Sequence, residues 1–299
     1  MGTESVSSRY RAIDTWPTET VVEALFEAQL AAAAAVGGAT GPLARAAEAI
    51  AERLRRPESR LVFAGAGASG RIAIQDGVEL TPTYSLEPDR IIYLLAGGTP
   101  ALTRSVEGAE DEAEAAAALI AEHGVGAADV AIGLAASGTT RFTVAAIEAA
   151  RGRGALTIAM ANNAGAPLLD AAEHPILLPT GAEPIAGSTR MKAGTAQKIA
   201  LNLLTTATMV RLGRVHEGMM VDMKMSNAKL RDRGARIVAE LAGVDSARGA
   251  AALAAADNEI KTAVLMLRGL GRTEARALID RADGRLRAAL AMTERDTPS

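Results

Sequence analysis

The chain has 299 residues, 49% hydrophobic and 22% charged, close to the average of a water-soluble globular protein, and no run of 18 or more apolar residues is free of charge, so neither a membrane-spanning nor a disordered class is expected. Lys and Arg number 32 against 35 Asp and Glu, a net charge of -3, and with aromatics at 2% there is neither a basic tract nor a stacking platform for nucleic acid. Cysteine is absent, which excludes disulfides, thiolate metal sites and cysteine nucleophiles, and the polar start Met1-Gly2-Thr3-Glu4 lacks the basic-then-apolar pattern of a secretory signal, so the expected compartment is the cytoplasm.

Residues 18 to 56 carry apolar positions at helical spacing: Val21, Leu25, Ala28 and Ala32 before Gly37-Gly38, then Leu43, Ala46, Ile50 and Leu54 after Pro42. This predicts an antiparallel helical pair. From Arg60 to about Pro179 the pattern changes to short continuous apolar runs, Leu61 to Ala64, Ile91 to Leu95, Val130 to Leu134, Leu156 to Met160 and Ile176 to Leu178, separated by turns or helices. Continuous runs fit strands covered on both faces, so the expected fold is α/β, a doubly wound parallel sheet of five strands flanked by helices. A long helix is predicted from Ser188 to about Leu212, with Ser188 or Thr189 as its cap and Ile199, Leu203 and Val210 on its buried stripe. Beyond Ala242 the chain is Ala-rich and helical, with Ile260, Val264 and Leu267 in phase, as in a small subdomain of three or four short helices. The expected division is a helical segment over 1–55, a central domain over 56–240 and a helical subdomain over 241–299.

Gly65-Ala66-Gly67-Ala68-Ser69-Gly70 follows a predicted strand and opens a helix, which satisfies G-x-G-x-x-G in the right local context. A dinucleotide site would also need an acidic residue closing the second strand to hold a ribose, but that strand runs into Ala96-Gly97-Gly98, while Glu87 and Asp89 lie at its opposite end. A second loop of glycine and hydroxyls, Ser137-Gly138-Thr139-Thr140, follows the third strand and precedes a helix. Its hydroxyls could merely cap that helix. Two such loops at the carboxyl ends of parallel strands could instead aim backbone N–H groups, hydroxyls and helix N-termini at one anion, for which a phosphate is the economical ligand.

Three carboxylates accompany these loops: Glu79, near the end of the helix opened by Ser69, and Glu107 and Glu110, which follow the second strand. Glu79 sits at a helical C-terminal turn, where a negative charge is disfavoured, so a dipole effect does not explain it. Two acids facing a phosphate pocket could divide general acid and base roles. The segment Thr180 to Thr195 ends in a hydroxyl-rich helix start with Ser188, Arg190 and Lys192, which could neutralise a ligand anion or form surface salt bridges with Glu183. His123, His174 and His216 are far apart with no metal-ligand spacing, so no metal site is expected. No G-x-S-x-G elbow is present, which argues against acyl transfer.

Taken in order, Phe63 to Arg71, Glu79 to Thr83, Ala96 to Gly98, Val106 to Asp111, Ala135 to Gly138 and Ala186 to Lys198 resemble the N-acetylmuramic acid 6-phosphate etherase family of sugar isomerase (SIS) domain enzymes. The resemblance implies a SIS-type fold and cleavage of a D-lactyl ether to N-acetylglucosamine 6-phosphate and D-lactate in peptidoglycan recycling, without a metal or redox cofactor. It also implies Glu79 as the acid assisting the lactyl oxygen and Glu110 as the base at C2. Ser137 and Thr140, assisted by Ser69, are implied to hold the phosphate, and Gly67, Gly70, Gly138, Thr139, Glu107, Ser188 and Lys192 join them as candidate binding residues. Ala68 stands where the family has Thr, removing one hydroxyl, and Thr139 and Arg141 stand where Arg and Pro are usual. A homodimer completing its site across subunits is implied as well, with Lys229 either part of such a contact or simply solvated. Two other functions would use similar loops: a non-catalytic phosphosugar sensor of the glucokinase regulatory type, which is much larger and has two SIS domains, and an aldose-ketose isomerase. Only the etherase would release lactate.

Overall fold

The computed structural model describes residues 2–295. In chain order the helical pair is α1, Thr18–Gly37, and α2, Thr40–Leu54, broken at the expected Gly37-Gly38. The α1 face turned inward is Ala24, Ala28, Ala32 and Val36, and that of α2 includes Leu43, Ala46, Ile50 and Leu54. By length and composition α1 could cross a bilayer, with a mean hydropathy of 1.3 that its alanines supply. It also carries Glu19, Glu23 and Glu27, and its Gln29 Oε1 accepts a 2.5 Å hydrogen bond from Thr195 Oγ1.

There follow β1 (Leu61–Gly65), α3 (Gly67–Val78), α4 (Leu80–Tyr84), β2 (Ile91–Leu95), α5 (Ala113–Glu122), β3 (Val130–Ala135), α6 (Arg141–Gly152), β4 (Leu156–Ala161), α7 (Pro167–Ala171), β5 (His174–Leu177) and α8 (Lys192–Arg211). A two-stranded ribbon, β6 (Val215–His216) and β7 (Met219–Met220), leads to α9 (Ala228–Ala242), α10 (Ser246–Ala255), α11 (Ile260–Met266), α12 (Arg272–Arg281) and α13 (Leu286–Arg295). The chain divides into two compact units: the first holds the residues up to Gly77 and Asp89–Ala207, the second holds Val78–Pro88 and the residues from Thr208 onward.

The first unit is built on the expected parallel sheet, in the order β2-β1-β3-β4-β5. β1, β3 and β4 are buried at every position, as strands covered on both faces must be. At the amino edge of the sheet, Asp129 locks the entries of β1 and β3 together. It accepts hydrogen bonds from the Arg60 backbone N–H (3.1 Å), Arg60 Nε (3.0 Å), Arg60 Nη2 (2.8 Å) and the Gly126 N–H (2.9 Å). Burial alone would raise the Asp129 carboxyl, but the hydrogen bonds from Arg60 and Gly126 outweigh it and hold the group below its ordinary range. The opposite, carboxyl edge is left to the loops.

Helix α8 departs from the sequence expectation in two respects. Leu203 and Val210 are 47% and 44% exposed rather than buried. The inward face is filled by Ala193, Ala196 and Ala200, whose small side chains allow close approach, and by Leu201, Leu204 and Met209. Its first-turn N–H groups are also held mainly by another residue: those of Lys192 and Ala193 donate to the fully buried carboxylate of Glu183 at 2.9 and 2.8 Å, while Thr189 contributes its backbone carbonyl, which accepts the Gly194 N–H at 2.8 Å.

The second unit has its own core, in which Val221, Met223, Ile237, Val238, Leu253, Ile260, Val264, Leu265, Leu278 and Leu286 pack together. Four short helices follow Ala242, as expected. Asn227 and Asp245 cap α9 and α10 by accepting the N–H groups of Leu230 and Arg248 at 3.0 and 2.9 Å.

Candidate functional site

The strand order places a topological switch between β1 and β3: from β1 the chain proceeds to β2 on one side, and from β3 to β4 and β5 on the other. Loops leaving two such strands diverge, and the crevice outside their carboxyl ends is where open α/β sheets bind ligands. Both glycine-hydroxyl loops leave from this point.

In the first loop, Gly65 ends β1 and Gly67 opens α3. A Cβ on Gly70 would lie 2.9 Å from the Gly65 carbonyl, so helix and strand approach this closely only because neither residue has a side chain. Ser69 is buried at this junction and Gly67 is exposed. Gly65 and Gly70 thus serve helix-strand packing and Gly67, at a φ of +51°, serves the turn at a helix N-terminus, which suits an anion without requiring a dinucleotide.

In the second loop, Ser137 Oγ accepts the Thr139 N–H at 3.1 Å, a local turn. Thr140 occupies the cap position of α6 but makes no side-chain capping bond, so its hydroxyl is not spent on the helix that follows. Gly138 is buried, and its carbonyl accepts the Leu168 N–H at 3.0 Å. Behind the loop stand Asn162 and Asn163, which the sequence reading did not single out. The Asn162 N–H donates to the Ala136 carbonyl at 3.0 Å, and Asn163 Nδ2 reaches the carbonyls of Ala136 and Ser137, each at 3.3 Å. The buried Asn162 side chain continues to the Leu178 carbonyl (3.0 Å) and accepts from Gln197 Nε2 (3.1 Å), while Gln197 Oε1 is buried without a hydrogen-bond partner. Their only sequence signal was a pair of asparagines closing an apolar strand.

The loop after β2 turns back at Gly97, whose φ of +80° and contact with Val106 both demand glycine: a Cβ there would lie 2.8 Å from Val106 Cβ. Arg71, on α3, fastens the same loop by donating from Nε to the Ala101 carbonyl at 2.9 Å and from Nη2 to that of Arg104 at 3.4 Å. Glu107 follows Val106 directly, and Glu110 sits on a 3-10 turn over Ala109–Asp111, both exposed. The first unit therefore brings Val106, and with it the start of the Glu107 segment, back against Gly97 at the end of β2, while the turn carrying Glu110 packs against α6.

Of the basic segment before α8, Arg190 is exposed, and Lys192 Nζ donates to the Ala182 carbonyl at 2.9 Å. Burial pushes the Lys192 ammonium below its usual range, and the Glu183 carboxylate partly offsets this. Glu183 is not the surface partner that the sequence allowed; it is the buried acceptor for the start of α8. Ser188 is half-buried in the turn before it. Further along α8, Asp76 of α3 is buried and accepts from Lys198 Nζ (2.8 Å), Asn202 Nδ2 (3.2 Å) and Thr205 Oγ1 (2.7 Å). The Tyr93 phenol is pushed up to about 12 by burial and then by Asp76.

Glu79 belongs to the second unit. It lies between the end of α3 and the start of α4, exposed and making no capping bond. The segment that carries it is moored within that unit: the Lys224 N–H donates to the Pro82 carbonyl at 3.0 Å, Lys224 Nζ pairs with Glu87 at 3.1 Å, and Ser85 Oγ donates to the Asp222 carbonyl at 2.5 Å. The Asp222 carboxylate is in turn held by Lys261 Nζ at 2.5 Å and Arg214 Nη1 at 3.3 Å. Lys261 is buried, which lowers its pKa, with Asp222 pulling the other way. Its sequence signal was a single lysine inside the apolar α11. Lys229 is exposed on α9. Among the described residues no group of three or more His, Asp or Glu side chains has the arrangement of a metal site.

Two family models match the chain, the glucokinase regulatory protein N-terminal SIS domain over residues 43–151 and the SIS domain over residues 110–207. A protein of known structure from Bacteroides fragilis, described as a phosphosugar isomerase involved in capsule formation, matches with a TM-score of 0.50 at 23% identity, over 66% of this chain and 94% of its own, and shows the fold. A protein from Deinococcus radiodurans named N-acetylmuramic acid 6-phosphate etherase is 46% identical over 289 residues, 96% of this chain and 94% of its own length. One of the same name from Streptomyces avermitilis is 43% identical over 294 residues, 98% and 94% of the two chains. With likeness of this order along nearly its whole length, the chain belongs to the N-acetylmuramic acid 6-phosphate etherase family.

Proposed function

We propose that this chain cleaves the D-lactyl ether of N-acetylmuramic acid 6-phosphate with water, giving N-acetylglucosamine 6-phosphate and D-lactate, as a step of peptidoglycan recycling. The observation that carries this reading is the nearly full-length likeness to proteins of that name. Two hydroxyl-bearing loops at the sheet's switch point and two exposed carboxylates, Glu107 and Glu110, in the segment after the second strand are consistent with it.

The chemistry follows from the substrate. Only when the sugar ring opens does C1 become an aldehyde and the C2 proton become acidic. Glu110 takes that proton, the electron pair forms the C2–C3 double bond, and the C3–O bond breaks. Glu79 supplies the proton that the departing lactyl oxygen needs. Glu110 then helps deliver water to C3 of the unsaturated aldehyde, and a proton returns to C2. The sum is one water consumed and one lactate released. Ser137, Thr140 and Ser69 hold the remote phosphate, together with the backbone of Gly67, Gly70, Gly138 and Thr139, while Ser188, Lys192 and Glu107 complete the polar lining. Anchoring the far end of a flexible open chain supplies the binding energy that orients C2 and C3.

A homodimer with a shared active site and a cytoplasmic location complete the proposal. Self-association is supported by the outer face of α1, where Val22, Phe26 and Leu30 are 59%, 63% and 56% exposed at successive helical turns.

The test is release of lactate from N-acetylmuramic acid 6-phosphate by the purified chain. Enzyme-dependent lactate is expected in step with N-acetylglucosamine 6-phosphate. The match to the regulatory SIS domain favours one other reading, a phosphosugar sensor; tight sugar phosphate binding with no lactate would establish it instead.

A further inference from the structure

Thr3 is fully buried, although it lies outside every helix and strand. Its backbone N–H donates to Asn163 Oδ1 at 3.0 Å, and its hydroxyl accepts from Asn163 Nδ2, also at 3.0 Å. Its carbonyl accepts the Gly187 N–H at 3.3 Å. Gly2 lies so close to Asn163 that a Cβ on it would be 2.8 Å from Oδ1, and a Cβ on Gly187 would be 2.9 Å from Glu4 Oε2. The Ser5 N–H closes the segment into a turn on the Gly2 carbonyl at 3.0 Å. The same Asn163 amide that receives Thr3 also donates to the carbonyls of Ala136 and Ser137. One side chain thus joins the first residues of the chain to the hydroxyl loop after β3, and the Thr3 carbonyl joins them to the turn that carries Ser188.

We propose that Gly2–Glu4 is a strap built into the phosphosugar site, and that Asn163 is the positioning residue through which it sets the Ser137 loop. The inference rests on the reading that this loop holds the substrate phosphate. The Asn163 side chain hydrogen-bonds to the loop carbonyls and to Thr3, so its role is to keep the Ser137 and Thr140 hydroxyls and the loop's N–H groups converging on one point. Carbonyls anchored from behind turn the opposite, N–H side of the peptide units outward, which is the polarity that an anion needs. Without Asn163 the loop would have to be ordered by the ligand itself, and that cost falls on affinity.

The experiment compares Asn163→Ala, Thr3→Val and Thr3→Ser with Ser137→Ala, reading kcat and KM for N-acetylmuramic acid 6-phosphate and inhibition by inorganic phosphate. Asn163→Ala is expected to raise KM and the phosphate inhibition constant by about 10-fold with kcat within about twofold, the signature of lost uniform binding. Thr3→Val, which removes one of the bonds, is expected to give about a threefold rise in both. Thr3→Ser restores the hydroxyl and should match the parent chain. Parent values of both constants in Asn163→Ala and in Thr3→Val, with Ser137→Ala weakened, would overturn the strap while leaving the phosphate loop in place. A fall in kcat and thermal stability with KM unchanged would overturn it in favour of a purely structural contact. Parent values in Ser137→Ala would overturn the phosphate-loop reading itself.

Discussion

Replacing Glu110 with alanine is expected to abolish exchange of the substrate's C2 proton with solvent deuterium, and with it all lactate release above a background lower by ~10² to 10⁴. Removal of the C2 proton begins the reaction, so without a base nothing downstream can occur. Glu110 is exposed on a short 3-10 turn, and exposed substitutions of this kind usually alter stability by no more than about 0.5 kcal/mol. The loss would therefore be chemical rather than a consequence of unfolding. NMR of the substrate in deuterium oxide checks it directly, and exchange at the parent rate would remove Glu110 from the role of base.

Glu79→Gln should produce the complementary phenotype. Glutamine keeps the size of the side chain but cannot give up a proton to the leaving oxygen, so lactate release is expected to slow by ~10² to 10⁴ while C2 exchange persists. In the parent enzyme the carbanion formed at C2 divides between return and elimination. In this variant elimination is slowed, so more of it returns and more deuterium should accumulate in unreacted substrate than in the parent reaction. Glu79 makes no capping bond at the start of α4, so its replacement removes no structural hydrogen bond there. Loss of both exchange and lactate would show that Glu79 acts before the ether breaks; loss of neither would show that it does not act at all.

Much of the first unit was legible because its residues obey local rules. The apolar runs at Leu61, Ile91, Val130, Leu156 and Ile176 are uninterrupted, as strands buried on both faces require, and each became a strand within about two residues at either end. Gly37-Gly38 broke the helical pair as its lack of side chains predicts. Helix α8 was less transparent: Leu203 and Val210 match a buried period as well as Ala193, Ala196 and Ala200 do, and only tertiary packing chose the alanine face. Glu183 was hidden for a related reason. A carboxylate in a loop reads as surface, and nothing local reveals that the first turn of α8 will close over it.

The candidate site was legible where its parts were sequence motifs and illegible where they were partnerships. The two glycine-hydroxyl loops and Glu107 and Glu110 could be read from their positions after apolar strands. The supports could not: behind the Ser137 loop Asn163 meets Thr3 across 160 positions of sequence, and within the second unit, behind the segment that carries Glu79, Asp222 meets Lys261 across 39. The same holds for the compact units, in which Val78–Pro88 joins residues more than a hundred positions further on. No periodicity spans such separations.

The most direct measurement is to run the complete reaction in water enriched in deuterium and oxygen-18. Cleavage by elimination and water addition predicts N-acetylglucosamine 6-phosphate carrying deuterium at C2 and the heavy oxygen at C3, beside lactate with no carbon-bound deuterium and no heavy oxygen. Heavy oxygen in the lactate, or a product whose C2 proton never exchanged, would mean that the ether is broken without a carbanion and that the roles given to Glu79 and Glu110 are wrong.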